Sequence, residues 1–554
     1  MKKITGAKIV LETLKYLGVK DIFGYPGGAV IPIYDALYDF KGINHYMTRH
    51  EQGAVHSADG YARTKKVPGV CLATSGPGAT NLVTGIMTAH MDSIPLLIIT
   101  GQVSTSFLGK DSFQESDIIG ITSPITKNNY LVRDICELPK ILKEAYTLSK
   151  HGRPGPVLVD IPKNIQELTI DYSLFERFLK EDIQEMRKFK STYTNKEIEE
   201  FEDYLNSSKK PVLVVGGGVL NARCVEEVRE FINKTKIPVV STLMGLGVFN
   251  KNDKGYLGMI GMHGLIEANR AVDESDLLIC VGMRFDDRIV GDKSRFSPNS
   301  KKIHIEIDRA EVNKNIVVDL PIIGDAKDIL NRILNLDLKV EFEMWRDSFK
   351  TLEVFKDEEL NQISTLSMLN EILDENYIVV TDVGQHQMFT AQHLDIKKPF
   401  QFCTSGGAGT MGYGLPAAIG AQIANPNKKV LAILGDGGFQ MNQQELILLA
   451  QYKLPVKILI FNNGALGMVK QWQELFNNKR YSSVILDVNP DFVKLGNAHF
   501  IDGDKIDNID NLKKLKEILE NDKPYLVDIQ MSYKHNVYPI IPAGKSYEYT
   551  IGGE

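Results

Sequence analysis

Two short polar motifs follow two apolar runs in the C-terminal third of this 554-residue sequence. Asp436 stands between glycines in the motif 435–438, directly after the apolar run 429–434, and Asn462-Asn463 follows the run 456–461. Both runs are typical of buried parallel strands, and we predict that a helix over 440–452 crosses between them. The carboxyl ends of parallel strands share one edge of a sheet, which is where open α/β sheets bind ligands.

The chemistry of these motifs predicts a diphosphate held through a metal ion. A carboxylate and an amide oxygen form an incomplete cage of hard ligands that suits Mg²⁺, and phosphate oxygens and water would complete it. Glycines on both sides of Asp436 let the backbone approach the phosphates closely. An Asp-Gly turn on its own is common in loops, so the prediction depends on both motifs at this spacing.

The elements that must position these motifs form three units of alternating apolar runs and helical stretches, which predicts an α/β protein with three parallel-sheet domains. The length of the chain also favours about three domains. The predicted strands lie near 21–24, 43–47, 69–74, 95–100 and 156–161 in the first unit, near 211–215, 237–241, 276–281 and 302–307 in the second, and near 377–381, 429–434, 456–461 and 524–530 in the third.

We place the domain boundaries at changes in composition. Charged stretches over 171–200 and 341–360 are interpreted as linkers. The final segment has little periodicity, and it is either a loose tail or a lid over a site. The predicted divisions are 1–175, 195–340, 362–535 and the final segment 536–554.

Composition excludes several classes of protein. The sequence is 43% hydrophobic and 24% charged with a net charge of −6, and it has no basic patch that would indicate nucleic-acid binding. No apolar run approaches the length of about 18 residues that a membrane span needs. The amphipathic N-terminus shows no signal or transit pattern, so we expect a cytoplasmic protein. The dispersed cysteines are interpreted as core packing, and they are Cys71, Cys136, Cys224, Cys280 and Cys403.

The paired motifs resemble the thiamine diphosphate (ThDP) motif of ThDP-dependent enzymes. The thiazolium ring of ThDP is deprotonated by the cofactor's own amino group. That group can act as a base only when a carboxyl group is hydrogen-bonded to a nitrogen of the pyrimidine ring. Glu51, in the first turn of a predicted helix after the strand 43–47, meets that need, although an acid there also interacts favourably with the helix dipole. Glu51 and Asp436 could meet within one chain or across a dimer interface.

Nine motifs together make the chain similar to the acetohydroxyacid synthase (acetolactate synthase) family, over about residues 1–545. Within that family they resemble the large catalytic subunit of the FAD-containing, biosynthetic type. The motifs are FGYPGGA at 23–29, RHEQGA at 49–54, TSGPGATN at 74–81, FQE at 113–115, GMHG at 261–264, RFDDR at 284–288, VGQHQM at 383–388, SGGAGTMG at 405–412 and GMVKQWQ at 467–473.

The resemblance implies which residues bind ThDP and Mg²⁺. Asp436 and Asn463 would ligate the metal by their side chains, and Ala465 by its backbone oxygen. Met411 would support the bend of the cofactor, although methionine is more often a core filler. The implied ThDP-binding residues are Glu51, Gly384, Gln385, His386, Gly409, Met411, Asp436, Gly437, Gly438 and Asn463.

The resemblance also implies an FAD site in the second unit. Arginines would pair with the pyrophosphate and acids at strand ends with ribose hydroxyls, although such charges also form ordinary surface ion pairs. The flavin has no net redox role in the main reaction of the family. The implied FAD-binding residues are Arg153, Gly216, Gly217, Met262, His263, Gly264, Arg284, Asp286, Arg288, Glu306, Asp308 and Asp325.

The implied reaction is decarboxylation of pyruvate and transfer of the hydroxyethyl group to a second 2-ketoacid. It gives 2-acetolactate or 2-aceto-2-hydroxybutyrate, at the first common step of branched-chain amino acid biosynthesis. Gly28, Gln114 and Lys163 would lie near the reacting carbons, although a lysine after a strand is more often simply solvated. Arg284 would bind the acceptor carboxylate, and the acceptor's alkyl group would contact Trp472, Met468, Phe476 and Met262.

Two alternative functions, one of them an enzyme, and an assembly are also considered with this resemblance. A pyruvate oxidase shares ThDP and FAD but passes electrons to the flavin, and a catalytically inactive scaffold is disfavoured because Glu51, Asp436 and Asn463 are intact. The family's site lies between two subunits, so we expect a homodimer or homotetramer. A separate small regulatory subunit is also implied.

Overall fold

The computed structural model describes residues 2–181, 191–350 and 357–552. These residues form three six-stranded sheets, and all neighbouring strands within each of them are parallel. The predicted fold class, three consecutive parallel-sheet α/β units, is therefore confirmed. Over the same residues, no helix combines the length and the apolarity that crossing a membrane requires.

The first sheet is built from the N-terminal unit, and amphipathic helices bury their apolar faces against it. In spatial order its strands are Asn44–Met47, Asp21–Gly24, Gly69–Ala73, Leu96–Gln102, Pro156–Pro162 and Asn128–Leu131. Its longer helices are Gly6–Tyr16, Ile31–Asp39, Glu51–Lys65, Val83–Met91 and Leu138–Lys150. Lys3–Thr5 and Thr169–Asp171 form a separate antiparallel pair.

The second sheet is built from the central unit and has its own apolar core. In spatial order its strands are Tyr256–Met259, Val239–Ser241, Pro211–Val215, Leu277–Val281, Lys301–Glu306 and Leu320–Ile323. Its longer helices are Asn195–Ser207, Val225–Thr235, Ile266–Glu274 and Ala326–Leu334.

The third sheet carries both polar motifs, at 435–438 and at 462–463. In spatial order its strands are Phe402–Cys403, Tyr377–Thr381, Lys429–Gly435, Lys457–Asn462, Tyr525–Gln530 and Asp502–Ile506. Its longer helices are Gln362–Ile372, Gln385–His393, Gly414–Ala424, Gly467–Phe476, Phe492–Ala498 and Lys514–Glu520.

The predicted continuous helix over 440–452 is wrong. The structure instead has a helix Asp436–Met441, a 3₁₀ turn Gln443–Glu445 and a helix Leu446–Gln451. The break falls at Asn442, whose backbone leaves the helical region at φ −133°. Its side-chain amide donates to the carbonyl oxygen of Gly412 at 2.7 Å, so this residue bonds to a distant loop instead of continuing the helix.

The predicted linkers are only partly linkers. The stretch 171–200 contains a helix Tyr172–Lys180 and the first turns of the helix Asn195–Ser207, while residues 182–190 lie outside the described part of the chain. The stretch 341–360 contains a short helix Glu343–Arg346, and residues 351–356 lie outside the described part. High charge here indicates an exposed helix face as well as a connection.

Two glycine-rich helices bring the first and third sheets together. An ideal Cβ on Gly60 would overlap with the carbonyl oxygen of Ala417, and one on Gly420 would overlap with that of Ser57. The Ser57 hydroxyl also donates to the carbonyl oxygen of Pro416 at 2.9 Å. The helix that begins at Glu51 is therefore held directly against the helix Gly414–Ala424 of the third unit.

The C-terminal segment is tied to the central unit over its described length, up to residue 552. The amide of Ile541 donates to the carbonyl oxygen of Met262 at 2.8 Å, and Arg295 pairs with Glu548 at 3.1 Å. Ile540 and Ile551 form an antiparallel bridge that closes the segment on itself. Of the choices left open by the sequence, a loose tail does not describe these residues.

Four of the five cysteines are buried and all five are unpaired thiols. Cys71, Cys224, Cys280 and Cys403 agree with the core-packing prediction. Cys136 is partly exposed at the margin of the first core, so it is not a core residue.

Candidate active site

The two polar motifs meet at the carboxyl edge of the third sheet. Strands Lys429–Gly435 and Lys457–Asn462 are direct neighbours, and Gly435 is paired with Phe461, so Asp436 and Asn463 leave adjacent strand ends. The Asp436 side chain is 1% exposed, and burial raises its pKa to about 6. Asn463 Oδ1 accepts a hydrogen bond from the amide of Ala465 at 3.1 Å, which closes a tight turn.

This donor set fits a hard cation. It combines one buried carboxylate, one amide oxygen and a turn backbone, which are oxygen ligands of the kind that Mg²⁺ takes together with phosphate oxygens and water. Gly464 has φ +64°, a conformation that glycine adopts without strain. The tight turn that this conformation allows could direct the backbone oxygen of Ala465 toward a cation.

His386 lies beside these strand ends with an unused ring nitrogen. An ideal Cβ on Gly435 would come within 2.8 Å of His386 Nδ1, so glycine is needed for the imidazole to lie there. Burial lowers the pKa of His386 to about 3, so the ring is neutral at neutral pH. Its Nε2 is buried and has no hydrogen-bond partner among the described residues. A polar ligand such as a phosphate would satisfy that atom.

Asp382 organises the loop that carries Met411, and the sequence analysis missed it. Its carboxylate accepts hydrogen bonds from the amides of Val383 at 2.7 Å, Gly412 at 3.0 Å and Gly414 at 2.8 Å. Burial raises its pKa to about 6. The position directly after the strand Tyr377–Thr381 is the signal that could have identified this residue.

Glu51 is the first residue of its helix, as predicted, and its side chain is 8% exposed. Asn81 Nδ2 donates to Glu51 Oε2 at 2.9 Å. An ideal Cβ on Gly78 would come within 3.1 Å of Glu51 Oε1, so the carboxylate lies against a glycine-containing turn. One carboxylate oxygen is thus fixed by an amide, and the other faces a turn without side-chain bulk.

The loops of Gly28, Gln114 and Lys163 are connected at the same edge of the first sheet. The Ala29 amide donates to Thr74 Oγ1 at 3.1 Å, and Gln166, in the short helix that begins at Lys163, donates to the Ala29 carbonyl oxygen at 2.8 Å. An ideal Cβ on Gly76 would come within 2.9 Å of Gln114 Cα. The structure therefore places these predicted residues on one group of touching loops.

A cavity of about 1080 Å³ lies between the three units. Its size is at the upper end of ligand pockets, which span about 300–1,000 Å³. The predicted site residues that line it are Arg153, Gly217, Met262, His263, Arg284, Asp286, Arg288, Glu306, Asp325, Gly384, Gly409, Met411, Met468 and Trp472. Among the described residues, Glu51, Gln114, Gly28, Lys163 and Asp436 do not line it.

The acidic and basic residues of the central unit separate into lining and supporting groups. Burial raises the pKa of Glu306 to about 7, and its carboxylate accepts hydrogen bonds from the amides of Ile307 and Asp308. Arg153 lines the cavity and pairs with Asp308 at 3.2 Å and with Glu311 at 2.7 Å. Asp308 therefore forms an ion pair with an arginine of the first unit, and within the described chain it does not line the cavity.

Two predicted glycines have packing roles. An ideal Cβ on Gly216 would overlap with the carbonyl oxygen of Gly282, and one on Gly264 would come within 2.5 Å of the carbonyl carbon of Ile260. Neither residue lines the cavity within the described chain. Both are required where backbones approach closely.

Trp472 forms part of an apolar and cationic wall. The guanidinium of Arg288 lies 5.5 Å from the Trp472 ring centroid, and Arg288 Nη1 lies 3.5 Å from the sulfur of Met262. Met468, one helical turn before Trp472, also faces the cavity. Phe476, by contrast, is 50% exposed and lies outside the cavity, because it sits at the end of the helix Gly467–Phe476.

Glu445 links the third unit to the segment directly before Glu51, and the sequence analysis did not identify it. The amide of Arg49 lies 3.0 Å from its Oε1 and 3.1 Å from its Oε2, and the amide of His50 also donates to the carboxylate. Burial raises the pKa of Glu445 to about 7. This carboxylate of the third unit binds the two backbone amides that precede Glu51, and the helix itself is capped by the side chain of His50. Its contacts span 396 residues, so no local sequence pattern indicates them.

Family models of thiamine pyrophosphate (TPP) enzymes match all three units. The N-terminal TPP binding domain matches residues 4–121, the central domain residues 198–333 and the C-terminal TPP binding domain residues 382–529. Each match falls on one of the three sheets, and together they cover all six strands of the second sheet, four strands of the first and most of the third.

Curated relatives match nearly the whole chain. The acetolactate synthase large subunit of Lactococcus lactis subsp. lactis (strain IL1403) is 44% identical over 100% of this chain and 96% of the relative. The large subunit of isozyme 2 from Escherichia coli (strain K12) is 45% identical over 98% of each chain. The large subunit from Cyanidium caldarium is 46% identical over 99% of this chain and 97% of the relative. Identity of this extent, across three matched domains, shows that the chain belongs to the acetolactate synthase large-subunit family of thiamine pyrophosphate enzymes.

Proposed function

We propose that this chain is the catalytic subunit of an acetolactate synthase. It would release CO₂ from pyruvate and join the remaining two-carbon unit to the ketone carbon of a second 2-ketoacid. Two molecules of pyruvate would give 2-acetolactate, and pyruvate with 2-ketobutyrate would give 2-aceto-2-hydroxybutyrate, at the start of branched-chain amino acid synthesis. The observation that carries this proposal is the full-length identity to named acetolactate synthases.

The residues at the third sheet fit ThDP held through Mg²⁺. Asp436, Asn463 and the backbone oxygen of Ala465 would hold the metal, and His386 Nε2, which is buried without a partner among the described residues, would donate to the diphosphate. Gly384, Gln385, Gly409, Met411, Gly437 and Gly438 would form the rest of the binding surface. When bound, ThDP supplies a nucleophilic carbon and an electron sink for decarboxylation. The Glu51 carboxyl group would hydrogen-bond the pyrimidine ring and favour its basic tautomer.

The residues of the central unit fit FAD. The cavity is larger than a small ketoacid needs, and the buried Nδ1 of His263 in its wall lacks a partner among the described residues. Arg153, Arg284 and Arg288 would neutralise a pyrophosphate, while Glu306, Asp286 and Asp325 offer acceptors for hydroxyl groups. Gly216, Gly264 and Asp308 would support this surface from behind.

The acceptor ketoacid would bind between Arg284 and Trp472. The planar guanidinium of Arg284 can pair with a carboxylate through two hydrogen bonds, and the indole with Met468 and Met262 would contact the alkyl group. Gln114, Gly28 and Lys163 would approach the reacting carbons from the first sheet. Desolvation of this apolar site would favour loss of CO₂ from a carboxylate.

The assembly would be at least a homodimer, with Glu51 of one copy completing the site of another. Support comes from the cavity, whose lining within one chain includes Met411 and Trp472 but, over the described residues, not Glu51. The relatives are named large subunits, so we also propose a separate small subunit as a partner.

The test is to incubate the purified chain with pyruvate, ThDP, Mg²⁺ and FAD while measuring acetolactate and oxygen consumption together. Acetolactate at one molecule per two pyruvates, with little oxygen used, supports the proposal. Oxygen consumption that matches pyruvate loss would instead identify a pyruvate oxidase. If there is no turnover, the assay is repeated with a small subunit from a relative, and continued inactivity contradicts the proposal.

A further inference from the structure

Asn489 contacts the carboxylate that is proposed to bind the metal. Its Nδ2 donates to Asp436 Oδ2 at 2.7 Å and lies 3.3 Å from Asn462 Oδ1. The residue comes from the loop before the helix Phe492–Ala498, 53 residues after Asp436. It therefore reaches both proposed metal-site strand ends from a third segment of the chain.

The orientation of the Asn489 amide is set by its neighbours. Gln440 Nε2 donates to Asn489 Oδ1 at 3.1 Å, so the nitrogen of Asn489 faces Asp436. Asn462 Nδ2 in turn donates to Asp528 Oδ1 at 3.0 Å, which leaves Asn462 Oδ1 as an acceptor toward Asn489. Each donor in this network of hydrogen bonds has an acceptor, so the amide groups of Gln440, Asn489 and Asn462 have only one consistent set of orientations.

The loop itself does not depend on the Asn489 side chain. Backbone bonds hold it, because the Leu486 amide donates to the Gly464 carbonyl oxygen at 2.8 Å and Ala465 pairs with Ile485 in an antiparallel bridge. Asp491 also caps the following helix by accepting from the Lys494 amide at 3.0 Å. The bond from Asn489 to Asp436 is therefore an addition to a loop that is already anchored.

We propose that Asn489 is a positioning residue for the metal site, which rests on the proposed function. By holding Oδ2 of Asp436, it leaves Oδ1 to face the cation and fixes the rotation of the carboxylate. Mg²⁺ demands near-ideal octahedral geometry, whereas Ca²⁺ accepts flexible geometry. Outer partners that orient metal ligands typically change metal affinity by about 10–100-fold when removed.

The experiment measures equilibrium binding of ThDP by calorimetry at increasing concentrations of Mg²⁺ or Ca²⁺. It compares the wild type, Asn489→Ala and the matched control Asn497→Ala, whose exposed side chain lies in the following helix. We expect Asn489→Ala to raise the Mg²⁺ concentration for half-saturation about tenfold or more, with a smaller rise for Ca²⁺. Asn497→Ala should match the wild type.

A second variant keeps the test decisive if Asn489→Ala folds poorly. Gln440→Ala removes the group that orients the Asn489 amide while leaving Asn489 in place, and it should shift the Mg²⁺ requirement in the same direction by a smaller factor. Equal Mg²⁺ requirements in wild type and variants would overturn the inference. Equal losses for Mg²⁺ and Ca²⁺ would also overturn it. A wild type that binds ThDP without any divalent cation would instead overturn the proposed metal site itself.

Discussion

At the scale of single residues, Trp472 offers the sharpest test of substrate choice. Its ring lies in the cavity wall with Met468, next to the guanidinium of Arg288. One methylene in an apolar pocket is worth about 1–3 kcal/mol of discrimination. Replacing the indole with a smaller side chain would remove most of the surface that an ethyl group can contact and a methyl group cannot reach.

We expect Trp472→Leu to lower the preference for 2-ketobutyrate over pyruvate as acceptor by about tenfold, while acetolactate formation continues. The measurement is the ratio of the two products formed in a mixture of both ketoacids. Phe476→Leu is the control, because that ring is half-exposed and lies outside the cavity. A product ratio that stays the same in Trp472→Leu, or that shifts equally in Phe476→Leu, would remove Trp472 from this role.

The site residues that could be identified from the sequence are those that belong to short local motifs. Asp436 and Asn463 stand in short motifs after apolar runs, so their meeting followed from the rule for strand ends. Glu445 and Asn489 act on partners far away in sequence, and no periodicity reports such contacts. Their identification required the fold.

At the scale of elements, the sequence predicted central strands well and missed edge strands. Five of the six strands at the ends of the large sheets were not predicted, and they are Asn128–Leu131, Tyr256–Met259, Leu320–Ile323, Phe402–Cys403 and Asp502–Ile506. Central parallel strands are buried on both faces and read as continuous apolar runs. An edge strand such as Asp502–Ile506 is partly exposed and includes charged residues, so its composition resembles a loop.

The contact between the helices Glu51–Lys65 and Gly414–Ala424 gives a prediction about stability. Gly420→Ala would place a methyl group in overlap with the carbonyl oxygen of Ser57. This oxygen belongs to the backbone of the facing helix, so it cannot move aside as the end of a flexible side chain can. Overpacking of this kind costs about 1–3 kcal/mol, so the midpoint of thermal unfolding should fall by several degrees.

The control for this prediction is Gly28→Ala. Among the described residues, no heavy atom lies within 4 Å of an ideal Cβ at Gly28, so a methyl group there meets open space. Its unfolding midpoint should stay close to that of the wild type. Equal midpoints for Gly420→Ala and the wild type would show that the two helices can separate without loss of stability.

Glu445 predicts a dependence on pH. Burial raises its pKa in the folded state to about 7 from the ordinary value of 4.5. Between these values the folded protein keeps a proton that the unfolded chain has lost, so this group's contribution to stability is present at low pH and is lost as pH rises toward 7. Glu445→Gln removes the titration, so its unfolding midpoint relative to the wild type should increase from pH 5 to pH 7.

Thermal unfolding of both proteins at pH 5, 6 and 7 measures this difference. Glu445→Gln loses part of the hydrogen bonding to the Arg49 and His50 amides, so its midpoint at pH 5 should be lower than that of the wild type. A constant difference between the two midpoints across this range would mean that Glu445 is already ionised in the folded protein at pH 5.

At the scale of the whole molecule, the sequence could not decide where Glu51 and Asp436 meet. The structure places Glu51 on the first sheet and Asp436 on the third, and in one chain neither lines the large cavity within the described residues. Near Gln114, Phe113 is 88% exposed, and Phe107, whose carbonyl oxygen accepts from the Ser112 hydroxyl, is 55% exposed. Large apolar side chains exposed beside a functional edge are typical of a surface that another protein covers.

A mixture of two inactive variants tests whether a second copy of this chain covers the exposed surface beside Gln114. Glu51→Gln and Asp436→Ala should each abolish nearly all turnover when pure. In a mixed homodimer one site would pair the intact Glu51 of one chain with the intact Asp436 of the other, and the second site would carry both changes. Unfolding and refolding an equimolar mixture should therefore restore about a quarter of wild-type turnover, because half the dimers are mixed and each has one intact site of two. The control is each variant refolded alone, which should stay inactive. If both residues serve a site within one chain, no intact site can form in the mixture and turnover stays at the level of the separate variants.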